Sequence, residues 1–326
     1  MVVKLDLKDK KIIYELDRNS RASLSEIAKK VRLSREVVFH RINKLVSGGV
    51  ILRFLAVPAT YRFGLTGYKV YLKLTNTSKE NVDDFVEYLK KDPAIYWTSI
   101  CKGRWDLIFG IWAKSIHDFF NTYNKMLDKF SKYIQEKELS ITVENIQYNR
   151  RWLYNDNLKP EEFTFGEREE IASIDEKDRK ILDILTSNSR EKLVDIAEKL
   201  KQDPKVIAYR IKEMEKKKII RGYKISLNAD AVGFNTYKAF IYFKDITEDK
   251  KKEFVEYCKT LPNIINIVWT FAPWDAELMF ETDEDKDYYK IMDDIKEKFN
   301  SIVKSYDSIL IISEPRHKYL VSSKDK

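Results

Sequence analysis

Ser34, Arg35, His40, Asn43 and Lys44 lie in a segment whose apolar residues Val38, Ile42 and Leu45 recur at helical spacing. Those three would face inward, leaving Arg35, Glu36, His40, Asn43 and Lys44 outward. On such a face a guanidinium or a carboxamide can make paired bonds to a guanine or adenine edge in the major groove. A lysine ammonium more often meets phosphate. The arrangement returns at an offset of 169 residues, with Ile207, Ile211 and Met214 inward and Pro204, Lys205, Tyr209, Lys212 and Glu213 outward. Arg41 and Arg210 share a position at the edge of the stripe, as suited to bracing the fold or a phosphate as to reading a base. Lys216 opens a run of three lysines that reads either as a phosphate track or as a solvated helix end. The candidate contacts to double-stranded DNA are therefore Ser34, Arg35, His40, Arg41, Asn43, Lys44, Lys205, Tyr209, Arg210, Lys212 and Lys216.

The offset holds far beyond these helices. Residues 5–153 and 174–322 align on it without a gap, so that Gly233 matches Gly64, Asp275 matches Asp106 and Asn188-Ser189-Arg190 repeats Asn19-Ser20-Arg21. A unit of this length is a domain or a domain pair rather than a solenoid repeat of roughly 20–50 residues, and the chain reads as an intramolecular pseudo-dimer. Each copy opens with three helical segments. Asp9 to Leu16 carries Ile12, Ile13 and Leu16 on one stripe, and Ser23-Leu24-Ser25-Glu26 has the spacing of a capping box for a second helix. Ser34 caps the third, and its counterpart Asp203 is followed by Pro204 at the first helical position. Val50-Ile51 and Ile219-Ile220 then start a short strand, which gives a helix-turn-helix with a wing.

Charge follows the same division. Residues 1–53 hold 13 basic against 6 acidic residues and 174–224 hold 15 against 10, although the whole chain carries only +8. Positive charge is thus gathered in the first third of each copy, as contact with a polyanion requires. No apolar run approaches a membrane span. Met1-Val2-Val3-Lys4-Leu5-Asp6 does not read as the hydrophobic segment of a signal peptide, and Cys101 and Cys258 occupy non-equivalent positions that read as buried packing residues. The expectation is a cytoplasmic protein with no metal, cofactor or catalytic set.

The later two-thirds of each copy reads as strand, helix, strand, strand, helix, strand. Tyr68–Leu74 and Tyr237–Phe243 alternate as strands, Ile95–Ile100 and Trp105–Trp112 form a hairpin through Gly103, and a longer helix from His117 precedes a last strand near Glu138–Gln147. The predicted class is α+β: two winged helix-turn-helix domains (1–57 and 174–226) alternating with two ferredoxin-like βαββαβ modules (58–154 and 227–322), with 155–173 as linker. Helices cover one face of such a sheet, and Leu107–Trp112 is apolar on both sides, so the two sheets are expected to pack on each other.

In this order the motifs resemble those of the Lrp/AsnC (feast/famine) transcription regulators. The matching stretches are residues 5–13, Leu24-Ser25-Glu26-Ile27-Ala28, Arg41-Ile42-Asn43-Lys44-Leu45, Gly49-Val50-Ile51 and Gly103-Arg104-Trp105-Asp106-Leu107. The resemblance implies a sequence-specific DNA-binding regulator, self-association through the response modules, and a small effector such as an amino acid near the loop joining the second and third strands. Carried onto this chain, the effector positions are Gly103, Asp106 and Asp275, with the second loop altered by Pro273. The fused architecture is also similar to siroheme decarboxylase, an enzyme of haem synthesis. Against that reading, His40, His117 and His317 all lie outside the hairpin between Ile95 and Trp112, where that family carries histidine. A third alternative is a ligand-sensing module whose helix-turn-helices are degenerate.

Overall fold

The computed structural model describes residues 2–154, 161–166 and 171–319. The first copy runs α1 (Leu7–Arg18), α2 (Leu24–Val31), α3 (Arg35–Ser47), β1 (Ile51–Pro58), β2 (Thr66–Leu74), α4 (Lys79–Lys91), β3 (Ile95–Gly103), β4 (Leu107–Ala113), α5 (Ile116–Phe130) and β5 (Ile134–Tyr148). After β6 (Glu162–Phe165), the second copy runs α6 (Glu176–Ser187), α7 (Leu193–Leu200), α8 (Pro204–Lys216), β7 (Ile220–Leu227), β8 (Asn235–Phe243), α9 (Glu248–Thr260), β9 (Ile264–Phe271), β10 (Ala276–Thr282), α10 (Asp285–Lys298) and β11 (Val303–His317). Part of the expected linker is thus a strand, while 155–160 and 167–170 lie outside the described residues.

The helix starts follow from the caps. Asp6 and Ser23 each close a capping box with Asp9 and Glu26, Ser34 accepts from the Val37 amide, and Asp203 accepts from Lys205 with Pro204 at the first turn. Lys192, which stands where the first copy has Ser23, starts α7 without a side-chain cap.

The chain divides into two compact units that do not follow its sequence order. The first comprises the described residues of Met1–Ala59, Tyr148–Phe163 and Glu170–Phe234, and so holds both helix-turn-helix heads. The strand expected as a wing is present in each head, but its partner is the equivalent strand of the other. β1 and β7 pair antiparallel, from Ile51 opposite Leu227 to Pro58 opposite Ile220. Residues 148–154, placed by the sequence in the first response module, pack here instead. Leu153 joins the α1–α3 core, and the fully buried carboxylate of Asp17 receives the Arg150 amide and guanidinium, both at 2.8 Å. A buried carboxylate without such partners would be costly, which fixes the segment to α1.

The second unit comprises the described residues of Thr60–Gln147, Thr164–Glu169 and Asn235–Lys326. Its sheet order is β2-β4-β3-β11-β8-β10-β9-β5-β6, with β2 also paired to β5, so eight of the strands close on themselves. Each module keeps the ferredoxin-like order, β5-β2-β4-β3 and β11-β8-β10-β9, and the two join at β3–β11 and β5–β9. The sheets therefore meet within one chain, both by edge pairing and face to face. Tyr71, Trp97, Trp105, Ile108, Phe240, Trp274 and Ile309 form their common core. Closure also removes sheet edges that would otherwise recruit other chains.

Candidate nucleic-acid interface

On α3 the stripe Val38, Ile42 and Leu45 is buried, and Ser34, Arg35, His40, Asn43 and Lys44 are exposed. On α8, Ile207, Ile211 and Met214 are buried, while Lys205, Tyr209, Lys212 and Lys216 are exposed and Glu213 is half-buried. The two edge arginines have structural partners. Arg41 donates to Asp6 and Asp9 at 2.7 Å each, and Arg210 to Asp175 and Asp178 at 2.8 Å each. Each arginine thereby ties the recognition helix to the acidic start of the first helix of its head. The Asp6 carboxyl is held below the usual carboxylate range, first by the Asp9 amide it accepts and then by Arg41.

The heads are joined by a near-symmetric contact that the sequence motif gave no reason to expect. The hydroxyls of Ser20 and Ser189 meet at 2.7 Å, and their amides donate to the Tyr223 and Phe54 carbonyls respectively. Arg21 reaches the Ser189 carbonyl, and Arg190 donates to the Ser20 and Ala22 carbonyls at 2.9 Å each. Together with the β1–β7 ribbon this holds α3 and α8 in one body. The repeated Asn-Ser-Arg turn was visible as a repeat, but its pairing partner is itself, which only the fold can show.

The expected effector positions have structural duties. Asp106 accepts from the Leu74 amide at 2.9 Å and from the Lys73 ammonium at 3.1 Å, and Asp275 accepts from the Phe243 amide at 2.7 Å. Each caps the end of the first strand of its module. Gly103 adopts φ +120°, and a Cβ there would come within 2.9 Å of the Ser308 carbonyl oxygen on β11, so glycine is required by the backbone. A surface hollow of about 360 Å³ lies elsewhere in this unit, lined by Asp84, Glu87, Lys91, Lys129 and Lys132 among others, and none of the three positions reaches it.

Between the modules lies a buried charge cluster that the sequence reading missed. The ammonium groups of Lys69 and Lys238 both reach Oε2 of Glu277, at 2.7 and 2.8 Å, while Tyr71 donates to Oε1 at 2.5 Å. Burial alone would raise the Glu277 carboxyl, but Lys238 and Lys69 outweigh it and hold it down at about 2. Burial pushes Lys69 to about 8, with Glu277 opposing the shift and Lys238 adding to it. Among the described residues there is no cluster of three or more His, Cys, Asp or Glu placed to hold a metal, and no helix long and apolar enough to cross a membrane.

Two helix-turn-helix heads fused into one body, with basic recognition helices outward, define the class: a winged helix-turn-helix protein. The model of the winged helix-turn-helix DNA-binding family matches residues 5–51 and, again, 174–221. The chain is 28% identical over 115 residues, 35% of its length and 77% of the relative's, to an uncharacterized HTH-type transcriptional regulator of Pyrococcus furiosus. It is 26% identical over 116 residues, covering 35% of this chain and 75% of the relative, to the proline dehydrogenase transcriptional activator of Rhodobacter capsulatus. Among solved structures, the siroheme decarboxylase NirDL aligns over 98% of this chain and 94% of its own with a TM-score of 0.63 at 10% identity, a likeness of fold. The winged helix-turn-helix match thus occurs twice, once in each copy of the repeated unit.

Proposed function

We propose that the protein is a DNA-binding transcriptional regulator of the Lrp/AsnC kind that reads an asymmetric operator. The observation that carries this is the pair of exposed recognition helices in one unit with unlike outward residues, Arg35, Asn43 and Lys44 on α3 against Pro204, Lys212 and Glu213 on α8. Arg35 and Asn43 supply base contacts, while Lys44, Lys205, Lys212 and Lys216 supply phosphate contacts and with them the salt dependence. Ser34, His40 and Tyr209 complete the approach. Arg41 and Arg210 serve by fixing the helices rather than by reading bases. Selection from random duplexes at controlled salt tests the proposal. Two unlike half-sites are expected; a perfect inverted repeat as best target would refute the asymmetry, and no duplex binding in dilute salt would refute the whole. Replacing Asn43 with Ala should cost about 1–3 kcal/mol and relax one base position.

A second reading, an enzyme of the siroheme decarboxylase kind, is favoured by the whole-chain fold likeness and by one placement. His317 lies outside the Ile95–Trp112 hairpin in sequence, yet β11 sets it opposite Trp97 at the start of that hairpin. Titration with siroheme decides it: tight binding with release of carbon dioxide would support the enzyme. Degenerate DNA binding by one head is tested in the full chain, since β1 and β7 interlock the heads and a half would lack its strand partner.

A further inference from the structure

On α3 the residues four apart, Arg35, Phe39 and Asn43, form one row along the helix. This row lies on the flank away from Arg41, whose guanidinium is taken by Asp6 and Asp9 of α1, so α1 occupies the opposite side. The middle member is a phenylalanine with 48% of its surface exposed, which meets the ring of His40 edge-on at 5.7 Å between centroids. Val46, one turn further on, is 41% exposed. A lone exposed apolar side chain is ordinary on a surface, but this ring stands on the row of the recognition helix that carries its candidate base contacts. Its neighbours on the row are a cation and a carboxamide, which fit the edges of guanine and adenine. The one apolar group offered by the major groove is the thymine C5-methyl, and phenylalanine is among the side chains suited to it. In the second head the corresponding row is Pro204, Ala208 and Lys212, with no large apolar member.

We infer that Phe39 is a specificity-determining residue that packs on a thymine methyl in the half-site read by α3, and that α8 has no such requirement. This rests on the DNA-binding reading and gives it a base identity. The perturbation is a single methyl: thymine replaced by uracil changes no hydrogen-bonding group in the groove.

The full chain is titrated by fluorescence anisotropy, at fixed salt, against its selected duplex and against versions carrying uracil at each thymine in turn. Asn43→Ala marks which half-site belongs to α3 by the position where preference relaxes. One thymine in that half-site is expected to lose about fourfold in affinity on conversion to uracil, the worth of one buried methyl. Phe39→Ala should bind the thymine and uracil duplexes alike, and Phe39→Leu should keep part of the difference; because the ring is half-exposed, both variants should melt with the parent protein. A selected α3 half-site without thymine, no uracil effect in it, or a full uracil effect in Phe39→Ala overturns the inference while leaving DNA binding intact. Absence of any duplex binding in dilute salt overturns the DNA-binding reading itself, and this inference with it.

Discussion

Replacing Glu277 with Gln keeps the shape of the side chain and removes its charge. Lys69 and Lys238 have side chains only 8% and 4% exposed, and both ammonium groups depend on this carboxylate. Breaking a buried pair by deleting one partner costs about 3–5 kcal/mol, because the remaining charge is left in a poor solvent. For a unit of this size about 2–4 °C of melting temperature corresponds to each kcal/mol, so a fall of roughly 6–20 °C is expected by calorimetry at pH 7. The parent protein gives an independent measure. Its Glu277 carboxyl is held at about 2, against an ordinary 4.5, so the folded state takes up this proton later than the unfolded chain. The stabilisation is complete above pH 4.5 and is lost as pH falls from there through 2, about 3 kcal/mol for this group. In the Gln variant Lys69 loses the anion that supports its charge and drops below its present value near 8, so the deficit should shrink between pH 7 and 9. Substituting the cluster together (K69M, Y71F, K238M, E277L) should recover most of the loss, since an apolar core of similar volume replaces the ions. A melting temperature within a degree or two of the parent, or a deficit independent of pH, would refute the assignment of Glu277 as shared counter-ion.

Arg190→Ala removes two charge-assisted bonds across the head contact and should cost about 1.5–3 kcal/mol for each carbonyl left without its donor. In gel shifts, affinity for a duplex with both half-sites should fall while that for a single half-site is unchanged; equal losses on both would contradict the role as a joint. Asp106→Asn should lower the melting temperature by weakening the end of β2 without altering any amino-acid response of DNA binding, whereas a variant that melts normally but has lost such a response would support Asp106 as an effector contact. Cys101 is buried, its thiol pushed up to about 12 by desolvation, and Cys258 is buried with its thiol raised for the same reason. Neither should react with a thiol reagent at pH 8 until the protein unfolds, and prompt labelling of the native chain would show the packing to be wrong.

What could be read from the sequence was local. The caps Ser23, Ser34 and Asp203 set helix starts through bonds to amides two or three residues away, so residue type and spacing suffice to place them. The buried stripes follow from periodicity for the same reason. Of the contacts between copies, the packing of the two sheets could be read from strands apolar on both sides, but the joint between the heads could not. Nothing in Ile51–Pro58 announces that its strand partner is β7 rather than a neighbour in sequence, and nothing around Ser20 announces Ser189. The effector positions rest on resemblance to a loop, and the bonds of the loop's aspartates to the ends of β2 and β8 could not be read from that resemblance. Phe39 lies off the stripe of Val38, Ile42 and Leu45 by its helical phase, so its exposure follows from the same periodicity.

Duplication within one chain changes what the pseudo-symmetric positions are free to do. Lys69 and Lys238 are equivalent under the 169-residue offset, and in a pair of identical modules each would need its own anion. Here one carboxylate serves both, because Glu277 corresponds to Ile108 in the first module. Two copies of the first module would bury two Lys69 ammonium groups with only Ile108 at the anion position, so its sheet is complemented by the second module and not by itself. The heads show the reverse distribution. Their joint keeps its symmetry in Ser20 with Ser189 and Arg21 with Arg190, because a shared contact constrains both sides, while the outward rows Arg35-Phe39-Asn43 and Pro204-Ala208-Lys212 have diverged. A homodimer must present the same row twice and therefore favours a palindrome. Covalent linkage lifts that constraint while the conserved joint preserves the geometry, which is the condition under which two unlike half-sites can be read by a single chain.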